Sequence, residues 1–167
     1  PSRPVATYSI VAMDEATGEL GVAVQSHWFS VGSLVPWAKA GVGAVATQSF
    51  VKVDYGPDGL RLMESGMTAT KALEILISQD DGEAVRQIGM IDFNGNVTAH
   101  TGNRCIEHAG HIIGENYSVQ ANIMAKSTVP KAMAKAFDNS KGDLADRMMT
   151  ALEAAQAEGG DIRGKQS

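Results

Sequence analysis

Thr7 opens the first β-rich run of the chain, TYSIVAMD, and carries a hydroxyl. A hydroxyl nucleophile needs a base within hydrogen-bond reach. One economical base is the nucleophile's own α-amino group, whose pKa near ~8 lets it take a proton at neutral pH. That solution requires the threonine to be the terminal residue, and here Pro1, Ser2, Arg3, Pro4, Val5 and Ala6 precede it. In this form the nitrogen of Thr7 is held in a peptide bond. The plainer reading is a β-branched residue starting a strand.

Other side chains offer chemistry more weakly. Asn122, in the run Gln120-Ala-Asn122, can donate a hydrogen bond to an oxyanion, or simply end a strand. Ser26 and His27 end the second β-like run, and Thr47, Gln48 and Ser49 end the third. Both groups are candidates for the wall of a substrate pocket. His100, His108 and His111 fall within twelve residues, and three imidazoles can hold a catalytic zinc. His108 and His111 flank Ala-Gly rather than sharing a helix face, so their convergence is not expected and no metal is assigned. Cys105, the single cysteine, reads as a small buried hydrophobe rather than a nucleophile. No cofactor is expected.

The elements that must position these residues follow from pattern. Residues 7–13 and 20–26 are strands joined by a short turn ending in Gly18, hence an antiparallel hairpin. Apolar or small residues lie on both faces of each, as in strands covered on both sides. A third strand, GVGAVATQ over 41–48, has almost no bulk. Gly56-Pro-Asp-Gly59 opens a helix that stops at Gly66, and Thr68 caps a second whose apolar residues 69, 72, 73, 76 and 77 share one stripe. Asn94-Gly95 marks a hairpin between residues 85–93 and 96–101. Short strands are expected at 111–114 and 118–123. Two amphipathic helices follow, the first with Val129, Met133 and Phe137 on one face, the second with Leu144, Met148 and Leu152. Asp143 suits the positive N-terminus of the second, and Gly159-Gly160 ends it.

Doubly covered strands with helices in pairs predict an α+β fold: a four-layer αββα sandwich of two mainly antiparallel sheets flanked by helices. At 167 residues one core can bury roughly 70% of the unfolded chain's surface, so one domain suffices. The composition, 44% hydrophobic and 20% charged, excludes wholesale disorder. A net charge of −5 argues against nucleic acid and against charge-driven attachment to anionic lipid. No run approaches the ~18 apolar residues of a membrane span. The chain opens on Pro1 rather than methionine, so an upstream segment removed in processing is expected. Location stays open between the cytoplasm and, if that segment was a signal peptide, an exported compartment.

Several blocks together resemble the DUF1028 family. They are TYSIVAMD (7–14), GELGVAVQS (18–26), VPWAKAGVGAVATQ (35–48), YGPDGL (55–60), HTG (100–102) and GGDIRGKQS (159–167). The family is placed in the N-terminal-nucleophile (Ntn) hydrolase superfamily, whose αββα sandwich agrees with the layers read above. Its members typically begin Met-Thr, so that methionine removal leaves the residue matching Thr7 at their terminus. They also continue past the Gln-Ser block. Residues 1–6 therefore read as a leader or propeptide-like segment ahead of a single domain over 7–167, with closing strands expected beyond Ser167.

The resemblance implies further site residues. Lys39, 32 positions after Thr7, matches the distance at which proteasome-like Ntn hydrolases carry a lysine that lowers the nucleophile's pKa. Asp161 and Ser167 resemble the aspartate–serine pair that orients the terminal amine. The implied activity is hydrolysis of a small-molecule amide through an acyl-enzyme on Thr7. A non-catalytic small-molecule-binding scaffold of the same fold is the alternative, and a histidine-based zinc hydrolase a weaker one. By analogy with sandwich enzymes that pair through their helical layers, a homodimer or higher homo-oligomer is expected.

Overall fold

The computed structural model describes residues 7–165. Strands β1 (Thr7–Asp14) and β2 (Glu19–Ser26) form the expected hairpin, paired Thr7 to Ser26 through Asp14 to Glu19. Two strands follow, β3 (Pro36–Lys39) and β4 (Gly43–Ser49). Helices α1 (Tyr55–Glu64) and α2 (Ala69–Ser78) come next, and the Thr68 hydroxyl caps α2 by accepting from the Lys71 N–H. The Asn-Gly hairpin is β5 (Arg86–Asp92) and β6 (Val97–Thr101). Then come β7 (Gly110–Gly114), β8 (Tyr117–Asn122), α3 (Val129–Asn139) and α4 (Leu144–Glu158). The Asp143 carboxylate caps α4 through the Asp146 N–H.

The strands make two antiparallel four-stranded sheets, ordered β2-β1-β8-β7 and β3-β4-β5-β6. Alternation along each strand then divides the core in three. Tyr8, Ile10 and Ala12 of β1 and Tyr117 and Val119 of β8 point outward onto Met133, Phe137, Leu144 and Met148 of α3 and α4. Val45, Ile88 and Met90 of the other sheet point outward onto Tyr55, Leu60 and Leu73 of α1 and α2. Between the sheets lie Val11, Met13, Ala44, Ala46 and Ile91, with Leu20, Val22 and Val97 packed against them. The order of layers is helix, sheet, sheet, helix, as expected. Strand β3 was not foreseen. It begins at a proline, which an edge strand tolerates because no ladder hydrogen bond is owed on its outer side.

Antiparallel pairing brings alternate starts and ends of strands to the same end of the sandwich. Thr7 starts β1 beside Ser26, the last residue of β2, and Asn122, the last of β8. In the facing sheet, Ser49 ends β4 beside Arg86, which starts β5, and Gln87 pairs with Thr101 at the end of β6. The candidate residues are thus collected by topology, not by nearness in sequence.

Candidate functional site

The inter-sheet layer changes character along its length. Its middle and far end hold the hydrocarbon named above. At the Thr7 end the inward positions are Thr7, Ser9, Ser26, Gln48, Gln87, Gln120 and Asn122, all fully buried. A buried polar side chain costs free energy unless it is hydrogen-bonded, and these bond one another. Thr7 Oγ1 donates to Ser26 Oγ at 3.3 Å. Ser9 Oγ lies 2.7 Å from Gln48 Oε1 and 2.9 Å from Gln120 Oε1. Gln48 Nε2 donates across the sheets to Gln87 Oε1 at 2.7 Å and to the Thr7 carbonyl at 3.4 Å.

Gln87 is the hub. Its Nε2 faces Thr101 Oγ1 at 2.9 Å, Ala121 O at 3.0 Å and Gly110 O at 3.1 Å. Its Oε1 also accepts from Asn122 Nδ2 at 3.0 Å. Gly89, next inward on β5, has no side chain, and the Gln120 carboxamide occupies the space a Cβ would need. Thr101 extends the chain of bonds to His111 Nδ1 at 2.8 Å. Burial, and then the nearby His100, push the His111 pKa below its ordinary value.

Two residues at this end hold left-handed backbone: Ser49 with φ 70° and Ile123 with φ 56°. For a β-branched residue this region is an outlier costing on the order of 1–3 kcal/mol, and such strain gathers at functional sites. Ser49 follows Gln48 and Ile123 follows Asn122, so the strain sits directly beside the network. The Ile123 N–H reaches Ile106 O at 3.3 Å, docking the loop between β6 and β7 against the site. That loop walls a cleft of about 350 Å³ with Thr101, Cys105, His108 and Ser127. The Cys105 thiol donates to Arg86 O at 3.2 Å, and burial pushes its pKa up.

The structure brings together Thr7, Ser26, Gln48 and Asn122. His27 lies beside Ser26, and the turn at Gly164 approaches its ring. Asp161 is close by in the fold: its bridge to Met124 is two residues beyond Asn122. Its buried carboxylate is held by the Arg163 guanidinium and main-chain N–H at 2.8–3.1 Å. Ser167 lies outside the described residues, as do residues 1–6.

Two expectations fail, those for Lys39 and Thr47. Lys39 stands at the Gly43 end of β4, about 17 Å along the strand from Gln48. Half exposed, it is ion-paired with Glu64 of α1. The register of β3 sends it away from Thr7, so it cannot tune that hydroxyl. Thr47 ends near the site, but alternation turns its side chain to the helix face, where it donates to Lys52 O at 3.2 Å. The three histidines do not converge: His100 contacts Glu83, His111 contacts Thr101, and His108 lies on the cleft loop. Among the described residues no group of three or more His, Cys, Asp or Glu is placed to hold a metal ion.

Sequence reasoning missed Ser9, Gln87 and Gln120. The available signal was a long polar side chain inside an otherwise apolar strand, as in RQIGMID and YSVQAN.

A family model described as "Family of unknown function (DUF1028)" matches residues 7–167. The chain belongs to the DUF1028 family. Among solved structures, the crystal structure of protein SPO2555 from Silicibacter pomeroyi, of the same family, superposes with a TM-score of 0.87 at 29% identity. The superposition covers 92% of this chain and 69% of that one. Among curated proteins none matches. The fold is thus shared with a solved structure of the same family.

Proposed function

We propose that this DUF1028 protein is an N-terminal-nucleophile amidohydrolase that cleaves a small amide through an acyl-enzyme on Thr7. The observation that carries the reading is the setting of the Thr7 hydroxyl. It lies in a wholly buried polar layer at a strand start, bonded to Ser26, with Gln48 holding its carbonyl. Several polar side chains of both sheets are gathered around this one strand start, where a sandwich core would otherwise be filled with hydrocarbon.

Hydrolysis of the Ala6–Thr7 bond would leave a carboxylate on Ala6 and an amine on Thr7. That amine takes the hydroxyl proton as Oγ1 attacks the substrate carbonyl, then delivers it to the leaving amine. Water next cleaves the resulting ester and regenerates the hydroxyl.

The test is intact-mass spectrometry of the chain beginning at Thr7, incubated with a β-lactone. Attack of Oγ1 opens the ring and adds the whole lactone mass as an ester, which hydroxylamine removes. Thr7→Ala should not acquire this label. Equal labelling of Thr7→Ala, or no hydroxylamine-sensitive adduct on the parent, overturns the proposal.

A further inference from the structure

We propose that Asn122 is a positioning residue whose side-chain oxygen accepts a hydrogen bond from the α-amino group of Thr7 once residues 1–6 are removed. This rests on the amidohydrolase reading above and reverses the role that sequence suggested for Asn122.

The orientation of the carboxamide is fixed by its neighbours. Gln87 Nε2 must face the carbonyls of Gly110 and Ala121, which can only accept. Gln87 Oε1 therefore points at Asn122, which has to present its nitrogen. The second Asn122 N–H points to the Thr7 carbonyl at 3.5 Å. Both amide hydrogens are thus committed, and neither is left for an oxyanion. Oδ1 is the reverse case: it is buried and finds no donor among its neighbours. An unsatisfied buried acceptor calls for an N–H or O–H, not for a developing negative charge.

Thr7 is the register partner of Asn122. Partners across an antiparallel pair have Cα atoms about 4.5–5.5 Å apart. An amine at Thr7 brings three N–H groups to this spot, where a peptide nitrogen brings one. The other ionisable groups around β1 at this end are His27 after β2, Arg86 on β5, Cys105 on the cleft loop, His111 on β7, and Asp161 with Arg163 beyond α4. Asp161 is taken by Arg163, Arg86 by Asp80, and His111 by Thr101. His27 Nδ1 is also buried and without a partner among the described residues, but His27 lies beyond the last residue of β2, whereas the unpartnered Asn122 oxygen belongs to Thr7's own register partner on β8.

The experiment titrates the amine directly. Both sheets and all three core clusters are built from residue 7 onward, so the chain beginning at Thr7 keeps every described core contact. It is labelled with 13C-threonine and followed by NMR from acid to alkaline pH, where the Thr7 Cβ signal reports the amine. Removing an acceptor from the charged form lowers its pKa, so Asn122→Ala should move the titration down by about half a unit to one unit. Asn122→Asp keeps the acceptor, adds charge, and should move it up by about one unit or more. Thermal melting checks that each variant is folded, and if the alanine variant is not, the aspartate variant decides alone. An amine that titrates as in the parent overturns the assignment, as would be found if an internal water satisfied Oδ1. The lactone experiment is independent. A shifted titration with no lactone adduct sinks the hydrolase reading alone, and an adduct with no shift sinks the Asn122 assignment alone.

Discussion

Gln87→Glu is the sharpest single perturbation of the polar layer, because it changes one NH2 group to an oxygen and almost nothing in volume. Gln87 is fully buried, and its Nε2 faces three acceptors. A protonated glutamic acid can still donate to one of them. An ionised one would set a negative oxygen against the carbonyls of Gly110 and Ala121. Burial and these carbonyls both push the folded-state pKa up, by ~3–5 units for a fully buried carboxyl. At pH 7 the folded carboxyl is still largely protonated, so the loss is set by the ~2.7 units between pH 7 and the unfolded value; at ~1.4 kcal/mol per unit the variant should lose about 3.5 kcal/mol at neutral pH relative to acid. The folded pKa lies above the unfolded value near ~4.3, so the variant stays close to the parent below about pH 4 and weakens as pH rises toward the folded pKa. A total stability of ~5–15 kcal/mol makes this a large effect. Urea denaturation of the parent and variant at several pH values between acid and neutral measures it. A stability difference that stays flat across this range would show that position 87 is open to water or able to relax, and would refute the buried-hub reasoning.

Two further outcomes follow from the placement of charges. Lys39→Ala should leave β-lactone acylation of Thr7 within about twofold of the parent, and change stability by no more than about 0.5 kcal/mol, since its exposed pair with Glu64 lies at the far end of the sheet; intact-mass time courses and thermal melts check both, and a loss of acylation would restore Lys39 to the site. Burial alone would raise the Asp80 carboxyl, but Arg86, the Gly82 N–H and Lys52 outweigh it and hold the pKa down at about 2. The folded value lies below the unfolded one, so the advantage of the parent over Asp80→Asn should be complete above about pH 4 and vanish as pH falls through about 2; paired acid titrations of stability measure this, and a difference independent of pH would contradict it.

The fold was legible because its signals are local and mutually consistent. Thr68 and Asp143 cap helices where a hydroxyl and a carboxylate precede apolar stripes, and Asn94-Gly95 turns the hairpin between β5 and β6. Strand β3 escaped because Pro36 speaks against a strand and only its place at the sheet edge permits one. The site was legible in part. Thr7, Ser26, Gln48 and Asn122 stand at strand ends, and strand ends could be located from turns. Lys39 and Thr47 failed for a different reason. Spacing in sequence does not say which end of a strand faces the nucleophile, and nearness to a strand end does not say which face a side chain takes. One step of two-residue alternation separates Thr47, on the helix side, from Gln48, in the polar layer.

The same alternation explains why Gln87 and Gln120 carry more weight than their sequence context suggests. Each sits on a strand whose outward residues pack against a helix, so neither can turn toward solvent without moving apolar partners such as Ile88 or Val119 out of the core. Their carboxamides are therefore held between the sheets by the burial of their neighbours. Once there, they are satisfied by partners within the same buried layer, from the opposite sheet, from adjoining strands and, for Gln120, from Ser118 of its own strand, which is how Gln48, Asn122 and the Thr7 carbonyl come to be fixed. The hydrophobic layers thus set the position of the polar one, and the polar one sets the position of Thr7. Changes in the outer helix-facing layers should therefore act on folding alone, whereas isosteric changes at Gln48, Gln87 or Asn122 should alter how the Thr7 hydroxyl is held as well as stability.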